Sequence, residues 1–170
     1  MSKIVTVPNE ILRQVAKPVE QLDKRILDIV KDMTKTLKEA KNPQGVGLAA
    51  PQIGVSLRIF LIRPTPKDQI QVFINPEIIK FSQRQTKPTS KHGVYEGCLS
   101  IPQHYAPVTR SMSVTVKYQI PKLVTGNWEL ITKTTVFSGF PAHVIQHEMD
   151  HLNGILFIDR VLEQNSPLYK

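Results

Sequence analysis

The run Gln146-His147-Glu148-Met149-Asp150-His151 limits what this chain can fold into more than any other segment. In a helix, His147 and His151 stand one turn apart on one face, where both imidazoles can reach a single ion. Glu148 is rotated by about 100° from His147, so it stands beside such an ion and can take a proton from water there. Ile145, Met149 and Leu152 form an apolar stripe opposite, and burying that stripe would fix the direction of the histidines. Residues 139–153 therefore read as a helix, with Pro141 suited to its first turn and Gly154 to its C-terminal cap.

A second helix is expected over 22–40, where Leu22, Ile26, Ile29, Val30, Met33 and Leu37 make one apolar stripe. Asp23 is placed to start it, and Asn42-Pro43 followed by Gly45 to stop it. A short turn or helix is expected near residues 9–16, and strand-like runs fall at 57–62, 71–79, 112–120 and 128–137. Strands grouped between two helices favour an α+β fold over an alternating parallel sheet. Antiparallel or mixed β-sheets would pack around the C-terminal metal-binding helix, with the long helix at the N-terminal side. No repeat, low-complexity tract or linker divides the sequence, so residues 1–170 are expected to form one catalytic domain.

A chain of this length can bury a sizeable core without covalent staples. The single cysteine, Cys98, excludes an internal disulfide and suits a reducing compartment. The first residues carry no secretory pattern, and no apolar run reaches the roughly 18 residues that a membrane helix needs. A cytoplasmic protein without a membrane partner is the expectation. The formal charge is +8, and Lys80, Arg84, Lys87 and Lys91 lie in an acid-free stretch. Such charge favours loose association with a ribosome or nucleic acid. Without interleaved aromatics it reads first as a solvated loop, not as a surface for specific nucleic acid. A non-enzymatic basic protein bound to ribosomal RNA is the rival reading from another class.

Two histidines do not complete a metal site. One metalloprotease class would place a third histidine where Phe157 stands, so that class is disfavoured. Asp159 and Glu163 are downstream carboxylates that keep a zinc peptidase of the His-Glu-x-x-His type open. Cys98, in Glu96-Gly97-Cys98-Leu99-Ser100 before a turn-like Ser-Ile-Pro, offers a thiolate, a strong ligand for transition metals. Residue chemistry alone leaves it poised between ligand and buried thiol.

Three segments in order, Gly45-Val46-Gly47-Leu48-Ala49-Ala50-Pro51-Gln52, Glu96-Gly97-Cys98-Leu99-Ser100 and Gln146-His147-Glu148-Met149-Asp150-His151-Leu152, resemble the peptide deformylase family. The likeness runs from about residue 11 to residue 158. It implies a metal-dependent hydrolase that removes the formyl group from N-formylmethionine of newly made polypeptides, releasing formate. Cys98, His147 and His151 match the family's metal ligands, and Glu148 matches its catalytic acid and base. Gln52 and the backbone N–H of Leu99 match the donors to the oxyanion. Gly47 would edge the substrate groove, while Val46, Val94, Val144 and Ile145 would wall a pocket for methionine.

Glu96 and Arg110 match an acid and a base that steady the cysteine-bearing loop. The resemblance implies one divalent ion, ferrous iron in cells, with zinc, nickel or cobalt able to take its place. Its implied partners are N-formylmethionyl nascent peptides. Gly45 and Gly47 are read as letting the backbone approach a peptide closely, as in strand addition. Tyr105 stands where some bacterial relatives carry an arginine, which leaves the far side of the groove unassigned. Residues 163–170 do not carry the basic helix with which some relatives dock on the ribosome.

Overall fold

The computed structural model describes residues 2–41, 44–86 and 95–170. The Asn42-Pro43 helix stop, Lys87, Lys91 and the pocket candidate Val94 lie outside the described residues. Helix α1 (Lys24–Glu39) starts where Asp23 caps it, the carboxylate accepting the Ile26 N–H at 2.8 Å. Strands β1 (Gly47–Ala49), β2 (Ile59–Ile62) and β3 (Gln71–Phe81) follow, with a 3-10 turn at Ala50–Ile53. After them come β4 (Tyr95–Cys98), β5 (Ile101–Pro107), β6 (Ser113–Val124), β7 (Asn127–Ser138), α2 (Phe140–Leu152) and α3 (Phe157–Glu163). The short N-terminal element is a 3-10 helix at Glu10–Arg13, capped by Asn9.

Five strands form one antiparallel sheet in the order β1-β2-β3-β6-β7, and β4 pairs antiparallel with β5 in a separate ribbon. Side chains alternate across a strand, and β2 shows what that does here. Ile59 and Leu61 join Met33 and Leu37 of α1, whereas Phe60 and Ile62 join Val144 and Ile145 of α2. Both faces of β2 are therefore covered, which explains its unbroken apolar sequence. The ribbon packs through Ile101, Ala106 and Cys98 against Leu156, Phe157 and Val161 around α3.

Helix α2 lies between the sheet and the ribbon. Its stripe Ile145, Met149 and Leu152 is buried as expected, but so is every other residue from Ala142 to Leu152. The helix is enclosed on all sides, with Glu96 and Cys98 of β4 and Phe157 and Arg160 of α3 against its polar side chains. Strands β1, β4 and β5 and helix α3 extend beyond the sequence expectations. In the turn-like Ser-Ile-Pro, the turn is Leu99-Ser100, and Ile101-Pro102 already begins β5.

Phe73 sits at the centre of an aromatic column under α2. Its ring centroid is 4.5 Å from Phe60, 4.4 Å from Tyr118 and 5.6 Å from Phe137. Phe73→Ala should lose about 3–5 kcal/mol of stability, read as a lower urea midpoint. A midpoint equal to the parent's would show that the column does not carry the sheet–helix interface.

Candidate metal centre

Helix α2 and strand β4 bring three donors together. Cys98, His147 and His151 are all buried, and their ligand atoms lie within 4.8 Å of one another. Cys98 Sγ is 3.2 Å from His151 Nε2, and the two imidazoles meet edge to face at 76°. Donors on a tetrahedral ion stand roughly 3.3–3.6 Å apart, given metal bonds of about 2.0–2.3 Å. The cluster therefore fits one divalent ion of the kind that accepts sulfur and nitrogen ligands. The sulfur also accepts hydrogen bonds at 3.4 Å from the Ser100 N–H and the Gln52 side-chain amide, which fix its direction.

Glu96, two residues before the cysteine, organises the histidine side. Its Oε1 is 2.6 Å from His147 Nδ1, leaving His147 Nε2 for a metal. Arg110 grips the same carboxylate with two N–H groups, at 2.6 and 3.1 Å, so the expected acid–base pair is present. His143 Nε2 lies 2.8 Å from Oε2. Arg110 also donates to Asp150 at 2.6 Å, and Asp150 accepts from Arg160 at 2.7 and 3.1 Å.

These contacts set the charges. Burial alone would raise Glu96, but His147 and Arg110 hold its carboxyl well below the usual range. Burial alone would lower His147, but Glu96 overrides it and holds the imidazole well above its ordinary value. His151 is held well below, by burial and then by the neighbouring His147. An ion taken up at His147 must displace a proton, so metal binding here releases acid.

Glu148 is buried, and its Oε2 has no hydrogen-bond partner among the described residues. Burial pushes its carboxyl up to about 7. A Cβ at Gly47 would lie 2.2 Å from Glu148 Oε1 and 2.9 Å from Val144, so only glycine lets β1 approach the carboxylate. At Gly45 a Cβ would meet Leu37 and Ala40 of the α1 end. The glycines thus make room for the two helices, a reason the peptide-approach reading did not include. Gln52 Oε1 accepts the Ala49 N–H at 2.9 Å, which forces its NH2 toward Ser100 Oγ (3.2 Å) and Cys98.

Gly47, Gln52, Leu99, Val46, Val144 and Glu148 line one cavity together with Cys98 and His147. Ile145 is not among its lining residues and is fully buried in the α2–sheet core. Asp159 and Glu163, the alternative ligands, are elsewhere. Asp159 pairs with Arg13 and accepts the Leu156 N–H, and Glu163 pairs with Arg160 at the surface. That expectation is corrected: neither carboxylate joins the cluster. Sequence reasoning missed His143, Asp150 and Ser100. His143 was detectable, since it lies one helical turn before His147. Asp150 and Ser100 were not, because their partners are distant in sequence.

Glu96→Gln should weaken metal affinity by about 10–100-fold while the three donors remain, as measured by competition with a chromophoric chelator. Unchanged affinity would remove Glu96 from the support of the site.

The profile of the family described as Polypeptide deformylase matches residues 1–166. A peptide deformylase of Mesorhizobium japonicum is 42% identical over 164 residues, covering 93% of this chain and 82% of that protein. The crystal structure of peptide deformylase from Thermotoga maritima aligns with a TM-score of 0.77 at 35% identity, over 94% of this chain and 97% of that one. A class I type b peptide deformylase from Acinetobacter baumannii with Met-Ala-Ser bound has a TM-score of 0.76 at 36% identity, over 94% and 98%. The match spans Gln52, Cys98, His147 and His151, and this chain belongs to the polypeptide deformylase family.

Proposed function

We propose that this chain hydrolyses the formyl group from N-formylmethionyl peptides, releasing formate and a free amino terminus. The observation that carries the reading is Glu148, a buried carboxylate with a free oxygen on the same cavity as Cys98, His147 and Gln52. A bound Met-Ala-Ser peptide in the Acinetobacter baumannii relative supports a peptide substrate that begins with methionine.

Amide resonance makes water alone too weak to attack a formamide. A divalent ion held by Cys98, His147 and His151 supplies Lewis acidity that lets water lose a proton near neutral pH. Glu148 is placed to take that proton and to deliver it to the leaving amine, and a carboxyl titrating near neutrality suits both transfers. Gln52 cannot turn its amide while Ala49 holds Oε1, so its N–H donors stay directed toward the sulfur side of the cavity. With the Leu99 N–H it would stabilise the tetrahedral oxyanion, where one such donor is typically worth about 10²–10³ in rate.

Strand β1 is at the edge of its sheet, so the backbone around Gly47 can accept an extended peptide as an added strand. Val46 and Val144 suit the methionine side chain, with Ile145 supporting them from the core. Ferrous iron is the ion proposed in cells, on the family likeness; zinc, nickel or cobalt suit the same donors. Residues 1–170 would act as one catalytic unit in the cytoplasm on nascent chains. The charge of +8 favours loose dwelling near the ribosome without specific recognition. No helix among the described residues is long and apolar enough to cross a membrane.

Formate release from formyl-Met-Ala-Ser, by protein loaded with ferrous iron without oxygen, tests the reading. Glu148→Ala should slow it by about 10²–10⁴ while metal content stays. A metal-loaded parent that releases no formate but cleaves peptide bonds would instead establish the peptidase reading.

A further inference from the structure

The ribbon β4–β5 is joined at its edge by an isolated bridge from Tyr169 near the C-terminus. Tyr169 pairs antiparallel with Tyr105 through both backbone hydrogen bonds, at 3.0 and 2.8 Å. Directly paired residues share a face, as do residues two apart on one strand. Gly97 pairs with Tyr105, and Tyr95 lies two residues before Gly97. Tyr95, Tyr105 and Tyr169 therefore share one face, and Tyr95 and Tyr105 line the cavity that holds Glu148.

Two further contacts fix this face. A Cβ at Gly97 would lie 2.7 Å from the Tyr105 ring, so the ring lies across the glycine. The rings of Tyr95 and Tyr169 stack at 5.4 Å with an interplanar angle of 2°. Tyr169 is thus clamped by its backbone on one side and its ring on the other, yet 45% of it is exposed, and Tyr105 is 36% exposed. These rigid rings are held in place before any ligand arrives, which lowers the ordering cost of binding.

We propose that Tyr95, Tyr105 and Tyr169 form an aromatic shelf at the cavity mouth that binds the side chain of the second or third residue of the peptide, favouring an aromatic one. The inference rests on the deformylase reading for the direction of the peptide, with methionine innermost. It gives Tyr169 a part in substrate selection. The shelf carries no formal charge, so it selects by ring contact and not by ion pairing.

Isothermal titration of the metal-loaded protein with Met-Ala-Ser, Met-Phe-Ser and Met-Ala-Phe tests the shelf through binding alone. One phenylalanine peptide should bind about 3- to 10-fold tighter than Met-Ala-Ser. Tyr169→Ala should bring that ratio to within about twofold of one, and Tyr169→Phe should keep it. Tyr95→Leu, which removes the other half of the stack, should lose the preference as well. A parent without the preference, or a Tyr169→Ala protein that retains it, would overturn the shelf. Formate release by the parent is scored separately. Its failure would remove the deformylase reading, while the binding ratios still judge the shelf.

Discussion

The site depends on one buried carboxylate. Glu96 is 4% exposed, and taking such a charge out of water costs several kcal/mol even after the protein relaxes. The cost is offset because both oxygens are engaged, by two Arg110 donors and His147, with His143 close beside them. Arg110 is shared in turn with Asp150, and Asp150 with Arg160 of α3. The line of charge therefore runs from β4 through α2 to α3. Since Cys98 follows Glu96 by two residues, pairing Glu96 with Arg110 and His147 also sets how closely the sulfur approaches the histidines.

An enclosed helix with six polar side chains would be a poor core element without such partners. In α2, the neighbours supply them. Gln146 holds both backbone groups of Ser111, and Asp150 takes two arginines. His151 faces Cys98. Glu148 Oε2 has no such partner among the described residues, as is also true of His143 Nε2 and His151 Nδ1. Of these three residues, His143 lies against Glu96 and His151 against Cys98, whereas Glu148 lines the cavity with no ion pair among the described residues. A carboxylate placed so can exchange protons with a ligand there.

Much of this was legible in the sequence, for physical reasons that differ by element. The stripe of α1 and the alternation in β6 report burial on one face, so periodicity revealed them, and the Asp23 cap is a local signal. The histidine pair was legible because one helical turn links its members. Strands β1 and β4 were not legible, since Gly47, Ala49 and Gly97 are dictated by close approach to Glu148, the core and Tyr105, and carry no strand propensity. The placing of Ile145 was likewise not legible. Adjacent residues on a helix point about 100° apart, so Val144 reaches the cavity while Ile145 enters the sheet side.

Gly97 and Tyr105 show how two residues paired across a ribbon set one surface. An arginine at 105 would present a long, solvated head to the groove, and its planar fork would need an anion to hold it. A tyrosine needs a flat seat, and Gly97 opposite it provides one, at a distance no side chain would allow. Tyr169 pairs with the other side of Tyr105 through two backbone hydrogen bonds. Gly97 stands next to Cys98 on β4, so one short strand carries both the seat of the ring and the sulfur of the candidate metal centre. A side chain at 97 would therefore disturb the ring first and, through the strand, the approach of the sulfur to the histidines.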